Sequence, residues 1–115
     1  MKVQYRVKSH EDFQQVIQDG KKERSKNYIV CYLNQQNRYP RLGISAPKKL
    51  GNAVVRNKVK RQIRGMIHEL WDELLSLDYV IVVRKDYSIE QYHSNQQELK
   101  QLFLRIRRKQ NEESA

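Results

Sequence analysis

Five cationic side chains crowd into the nine residues RNKVKRQIR, from position 56 to position 64. On a helix, where successive residues turn by about 100°, Arg56, Lys60 and Arg64 fall on one line, which we call the cationic ridge. The sequence from 51 to 68 contains no acidic residue to neutralise these charges, and like charges four positions apart destabilise an isolated helix. A purely structural helix would include glutamate among them, so the ridge indicates an anionic partner.

The residues around the ridge suit the same kind of ligand. Arginine guanidinium groups can bind two phosphate oxygens at once, and Asn57 adds a neutral donor and acceptor for a ribose hydroxyl, a base edge or the water on a metal ion. Lys48 and Lys49 precede the start of the helix, where free backbone N–H groups favour an anion. The predicted nucleic-acid-binding residues are Lys48, Lys49, Asn52, Arg56, Asn57, Lys58, Lys60, Arg61 and Arg64.

The overall charge favours a polyanionic partner over a membrane. The chain has 23 Lys and Arg against 13 Asp and Glu, a formal charge of +10, which repels itself unless a polyanion relieves it. No apolar run approaches the ~20 residues that span a membrane, and the opening residues lack the apolar segment of a signal peptide.

Cys31 is the one cysteine and the three histidines are scattered, so neither an internal disulfide nor a zinc site is expected. We therefore expect a cytoplasmic protein.

Hydrophobic periodicity predicts elements in the order α-β-β-α-β-α within a single domain over residues 1–115, with a charged tail at about 110–115. They are a helix at about 10–18 begun by Ser9, strands at 28–34 and 41–46, a long helix at about 53–75 begun by Asn52, a strand at 78–84, and a last helix capped by Ser94 that frays over 105–115. The polar segment 21–26 is assigned to a connection. Because strands joined through a helix run parallel when they are neighbours in one sheet, we expect an α+β two-layer sandwich. Three helices would pack on a small mixed sheet, with room for one extra short strand.

The stretch from 41 to 64, RLGISAPKKLGNAVVRNKVKRQIR, resembles the signature of the protein subunit of bacterial ribonuclease P. The segments EDFQQVI and DYVIVVRKD also resemble that family's first helix and last strand, so the similarity spans nearly the whole chain. Lys58 stands where the family usually has a second arginine, Pro47 where a serine is usual, and Cys31 and Ile17 where relatives often present an aromatic residue. The matching positions of the signature are Arg41, Leu42, Gly43, Lys48, Lys49, Gly51, Asn52, Ala53, Arg56, Asn57, Lys60, Arg61 and Arg64.

This resemblance implies a subunit that is not catalytic by itself. Proteins of the family bind a catalytic RNA, and the complex is an endoribonuclease that cuts the 5′ leader from precursor transfer RNA with Mg²⁺ bound mainly by the RNA. The resemblance therefore implies no catalytic side chain here, a metal contact no closer than through water at Asn57, and a protein that is monomeric outside the holoenzyme. It also implies a ribosomal-protein-S5-domain-2-like fold with a left-handed β-α-β crossover, opposite to the usual handedness.

The resemblance further implies a cleft for the single-stranded leader, between the first helix and the sheet. Its predicted lining, which we call the leader cleft, is Phe13, Ile17, Ile29 and Cys31. The Phe13 ring can stack on a base of any identity. Cys31 in place of an aromatic residue would weaken stacking, so that binding of the leader would depend more on charge. Plain core packing of the four side chains is the alternative.

Two other functions are weighed against this one. A structural RNA-binding protein of ribosomal type would share the composition and the sandwich, but the signature at 41–64 argues against it. A self-contained metal nuclease needs clustered carboxylates. The densest acidic set, Glu69, Asp72 and Glu73, lies past the ridge near a helix end and is expected to be solvated.

Overall fold

The computed structural model describes residues 5–7 and 9–114, and in them three helices pack on a four-stranded sheet. The helices are α1 (His10–Asp19), α2 (Ala53–Glu69) and α3 (Tyr92–Ser114), and the strands are β1 (Lys21–Arg24), β2 (Tyr28–Leu33), β3 (Arg41–Ser45) and β4 (Asp78–Val83). Short 3-10 turns, Lys48–Leu50 and Trp71–Glu73, flank α2. The predicted α+β class is confirmed, and the extra short strand is β1.

The strands lie in the order β1-β2-β4-β3. β2 runs antiparallel to β1 and β4, whereas β3 and β4, which α2 connects, are parallel as predicted. β2 has a neighbour on each side, in agreement with its apolar residues on both faces. β3 is an edge strand, and its free side meets the segment before α1 through an isolated bridge from Arg6 to Leu42.

The two faces of the sheet carry separate apolar clusters. Because side chains alternate along a strand, Tyr79, Ile81 and Val83 of β4 join the main core with α2 and α3. Val80 and Val82 point the other way, into a smaller cluster beneath α1. The fold therefore holds the predicted cationic helix on one side of the sheet and the predicted leader cleft on the other.

Helices α1 and α2 begin at the predicted caps. Ser9 Oγ accepts a hydrogen bond from the N–H of Asp12 at 3.0 Å. Asn52 Oδ1 accepts one from the N–H of Val55, also at 3.0 Å. Such caps satisfy N–H groups that have no partner inside the helix, which is why these two starts could be located from the sequence.

β1 occupies part of the segment 21–26 that was assigned to a connection. Its sequence, KKER, contains no apolar residue, so periodicity gives no signal there. Ion pairs to α3 stabilise the strand instead: buried Glu23 pairs with Arg105 at 3.5 Å and with Lys109. Lys21 pairs with Glu113 nearer the end of α3.

The bounds of α2 and α3 correct the prediction. α3 begins at Tyr92, and Ser94 Oγ donates to the Gln91 carbonyl instead of capping the helix. It continues to Ser114, where fraying over 105–115 was predicted, because the ion pairs to β1 hold its last turns on the sheet. α2 stops at Glu69, short of 75, and the chain passes into a 3-10 turn.

Candidate nucleic-acid interface

Helix α2 presents the cationic ridge by burying its opposite side. Val59, Ile63 and Met66 are buried in the main core at the predicted spacing. This packing fixes the rotation of the helix about its axis. Arg64 is consequently exposed, and Arg56 and Lys60 are partly exposed.

The other predicted residues surround the ridge on open surface. Asn57, Lys58 and Arg61 are exposed on α2, and Lys48 and Lys49 are exposed on the 3-10 turn before it. That turn packs against α2, so the two lysines lie close to the start of the helix. All five side chains are therefore accessible to a ligand that approaches the ridge.

The junction between the turn and α2 depends on glycine. Gly51 has φ 141°, in the region that only glycine adopts readily, and a Cβ there would lie 3.2 Å from Cβ of Val55. Asn52 is exposed, but its Oδ1 is engaged in the cap. Both residues thus have a local structural reason to stand in the signature.

The ridge has no internal counter-charge. Among the residues that the structure describes, no carboxylate forms an ion pair with Arg56, Lys60 or Arg64, whereas β1, β3 and α3 do contain paired cations. Nε of Arg56 is buried without a hydrogen-bond partner in the described chain. A charged surface left unpaired in this way is suited to phosphate from outside the protein.

A depression at the edge of β3 joins the ridge to α1. At its floor the Phe13 ring lies over Gly43, where a Cβ would come within 2.6 Å of Cε2 of the ring. Glycine is therefore required for the ring to take this position. The residues that line the depression are Arg6, Val7, Phe13, Leu42, Gly43, Ile44, Lys60 and Arg64.

The leader cleft residues lie together beneath and beside α1. Phe13, Ile17 and Ile29 are partly exposed around a fully buried centre formed by Val16, Cys31 and Val80. Cys31 is only 1% exposed, and this burial raises the pKa of its thiol. Three of the four predicted residues therefore offer surface to a ligand, and Cys31 forms the floor below them.

Sequence reasoning missed several residues on this face. Leu33 and Val82 belong to the same cluster. Alternation along the strands places Leu33 on the face of Ile29 and Cys31, and Val82 on that of Val80, but neither residue was included in the predicted lining. Lys22 and Arg24 of β1 pair across the strands with Cys31 and Ile29, which places their side chains on this face. They could not be found, because β1 itself was not predicted.

The described residues contain neither a clustered metal site nor a membrane-spanning helix. In residues 5–7 and 9–114, no three His, Cys, Asp or Glu side chains come together as a metal site. Of the acidic set weighed above, Glu69 and Asp72 are exposed and Glu73 is partly exposed. The helices within those residues are all too short or too polar to cross a bilayer.

Known proteins share this sequence over most of its length. The family model described as Ribonuclease P matches residues 1–107. The ribonuclease P protein component of Streptococcus pyogenes serotype M5 (strain Manfredo) is 43% identical over 99 residues, which cover 86% of this chain and 83% of the relative. The serotype M49 (strain NZ131) protein has the same identity and coverage.

Solved structures agree with the sequence comparison. The RNase P protein of Staphylococcus aureus is 35% identical and superimposes with a TM-score of 0.76, covering 89% of this chain and 94% of that one. The RNase P protein of Thermotoga maritima is 28% identical, with a TM-score of 0.80 over 87% of this chain and 96% of that one. Sequence, fold and the signature of the basic helix lead to one assignment: this chain belongs to the ribonuclease P protein family.

Proposed function

We propose that this chain binds the catalytic RNA of bacterial ribonuclease P through α2 and the 5′ leader of precursor transfer RNA through the cleft beside α1. In this role it assists RNA-catalysed, Mg²⁺-dependent removal of the leader in the cytoplasm, as a monomer that adds no catalytic side chain. The observation that carries the proposal is the cationic ridge, which is anchored on a rigid helix and has no counter-charge in the described chain. A buried stripe fixes its charges in place before RNA arrives, so little ordering is needed on binding.

The leader cleft supports the substrate half of the proposal. Phe13 lies between the ridge and the cluster under α1, so a strand leaving the ridge can reach its ring without crossing the molecule. Lys22 and Arg24 supply positive charge on the same face. An aromatic ring beside cations binds single-stranded RNA without selecting its sequence, as a leader of variable sequence requires.

Mg²⁺ would be held mainly by RNA phosphates, where it supplies charge stabilisation for the cleavage. The chain's own contribution is the exposed amide of Asn57, which can hydrogen-bond to a water on such an ion.

Reconstitution tests the proposal. The purified protein alone is expected to leave precursor transfer RNA intact, and to raise the cleavage rate of a bacterial ribonuclease P RNA at moderate Mg²⁺. A structural RNA-binding protein of ribosomal type would bind RNA without this stimulation. Failure to stimulate any bacterial ribonuclease P RNA would disprove the proposed function.

Phe13→Ala is expected to weaken binding of leader-bearing substrate by the holoenzyme roughly 5- to 160-fold, because one stacked base contributes ~1–3 kcal/mol. Mature transfer RNA, which has no leader, should bind almost as before. Direct binding measurements with both RNAs check this. Val16→Ala is the matched control on α1, since Val16 is fully buried and should affect stability without distinguishing the two RNAs. Equal losses for both RNAs on Phe13→Ala would place the ring in a packing role.

A further inference from the structure

Three aromatic rings meet on the surface beyond the last turn of α2. The Tyr5 ring centroid lies 5.0 Å from that of Tyr39, at an interplanar angle of 77°, and 5.0 Å from that of Trp71, at 51°. These residues, which we call the aromatic cluster, come from the segment before α1, the β2–β3 loop and the 3-10 turn after α2. Three distant segments of the chain thus bring their rings to one place.

Packing accounts for only part of the aromatic cluster. Trp71 contacts the main core, but Tyr39 is 38% exposed, and the only other large hydrophobic residue so exposed in the described chain is Val54. Tyr5 and Trp71 are partly exposed beside it, so the three rings together form a partly exposed aromatic surface. Moreover, the hydroxyls of Tyr5 and Tyr39 and the indole N–H of Trp71 form no hydrogen bond with any described residue. These polar groups can therefore hydrogen-bond to a ligand, and the exposed part of the Tyr39 ring is accessible to it.

The aromatic cluster lies just beyond the helix that carries the cationic ridge. Trp71 is in the 3-10 turn that follows α2, seven residues after Arg64. Arg6, next to Tyr5, lines the same depression as Arg64. A strand whose phosphates follow the ridge would therefore bring its next nucleotides to the rings.

Charge favours RNA over a protein as the occupant. Arg38 precedes Tyr39 in the chain and both are exposed, so two of the three rings have an arginine as a chain neighbour, in a protein of formal charge +10. Arg38 and Tyr39 also line a neighbouring polar depression together with Arg41 and Asp12, so further positive charge lies near the rings. Clustered tyrosine and tryptophan beside basic residues is the chemistry that binds unpaired bases.

We propose that Tyr5, Tyr39 and Trp71 form a stacking site for an unpaired base of the RNA that the cationic ridge binds. The site is separate from the leader cleft, because its rings lie past the end of α2 and Phe13 lies over β3. The inference rests on the proposed RNA binding and adds a specific contact to it. Its occupant is an unpaired nucleotide next to a phosphate that the ridge holds.

Trp71 reports on this site directly, because it is the only tryptophan in the chain. The full-length protein is titrated with a single-stranded RNA of about six nucleotides, a length within the range that single-strand sites accommodate, and with an abasic strand that carries the same phosphates. The base-carrying strand is expected to quench Trp71 fluorescence to saturation, whereas the abasic strand binds without quenching. Saturated binding with unchanged fluorescence, or equal quenching by both strands, would overturn the proposal.

Two variants at one position separate stacking from folding. Tyr39→Ala is expected to weaken binding of the base-carrying strand roughly tenfold while Tyr39→Phe, which keeps the ring, binds as the parent does. Neither change should affect the abasic strand or the circular dichroism of the protein. Equal affinities for Tyr39→Ala and Tyr39→Phe would contradict the site. A Trp71 fluorescence that changes with protein concentration in the absence of RNA would also contradict it, since the rings would then contact a second copy of the chain.

The outcomes also separate this inference from the proposed function. A protein that neither binds RNA nor stimulates ribonuclease P RNA contradicts both. A protein that stimulates cleavage, but whose Trp71 fluorescence does not change when RNA binds, contradicts the stacking site alone.

Discussion

Replacing Arg56, Lys60 and Arg64 together by alanine is expected to weaken binding to ribonuclease P RNA roughly 100- to 1,000-fold near 0.1 M salt. Each cation that neutralises a phosphate releases about one condensed counterion, so three lost contacts should flatten the plot of log affinity against log salt by ~2–3 units. Affinity measured over a range of salt concentrations gives both values. Folding should be unaffected, because the buried side of α2 is unchanged.

The control for this variant removes the same charge elsewhere. Alanine at Lys26, Lys100 and Arg108, which form no ion pair with the described residues, also lowers the formal charge from +10 to 10 − 3 = +7. If position matters, this protein should keep most of the salt dependence. An unchanged slope in the ridge variant, or equal losses in the two proteins, would mean that the ridge is merely solvated.

Arg41→Met is expected to lower the free energy of unfolding by about 3–5 kcal/mol, because it leaves a buried carboxylate without its counter-charge. Arg41 donates from Nε and Nη2 to the two oxygens of Asp78 at 2.7 and 2.6 Å, and the bond to Asp78 raises the pKa of the guanidinium. The Asp78 side chain is 1% exposed and its remaining side-chain partner in the described chain is Asn37, at 2.6 Å. Urea unfolding measures the loss.

A double variant shows whether the charge is the cause. Arg41→Met with Asp78→Asn replaces the carboxylate by a neutral amide, whose oxygen can still accept from Asn37. It should recover more than half of the lost stability, since no charge then remains buried. A double variant as unstable as Arg41→Met would refute this explanation, and so would an Arg41→Met protein that unfolds like the parent.

Features with short-range causes could be predicted from the sequence. The rotation of α2 follows from Val59, Ile63 and Met66, and its start follows from Asn52, all within one helix or its cap. The parallel pairing of β3 and β4 follows from the helix between them. The orientation of the ridge away from the core could therefore be predicted from the sequence.

Features with long-range causes could not be predicted from the sequence. β1 depends on Glu23 pairing with Arg105 and Lys109 of α3, more than 80 positions away. Arg41 is one of the matching positions of the signature, and its partner is Asp78 on the neighbouring strand β4. Such pairings leave no periodic trace in the sequence, and the same holds for the aromatic cluster.

The burial of Cys31 has a practical consequence for labelling chemistry. It is the one cysteine of the chain, it lies under α1, and burial raises the pKa of its thiol, so little reactive thiolate is present at neutral pH. A cysteine introduced at an exposed position such as Asn57 would therefore react selectively with a maleimide dye or a cleavage reagent. The natural chain is thus a ready background for mapping which nucleotides lie against each of its surfaces.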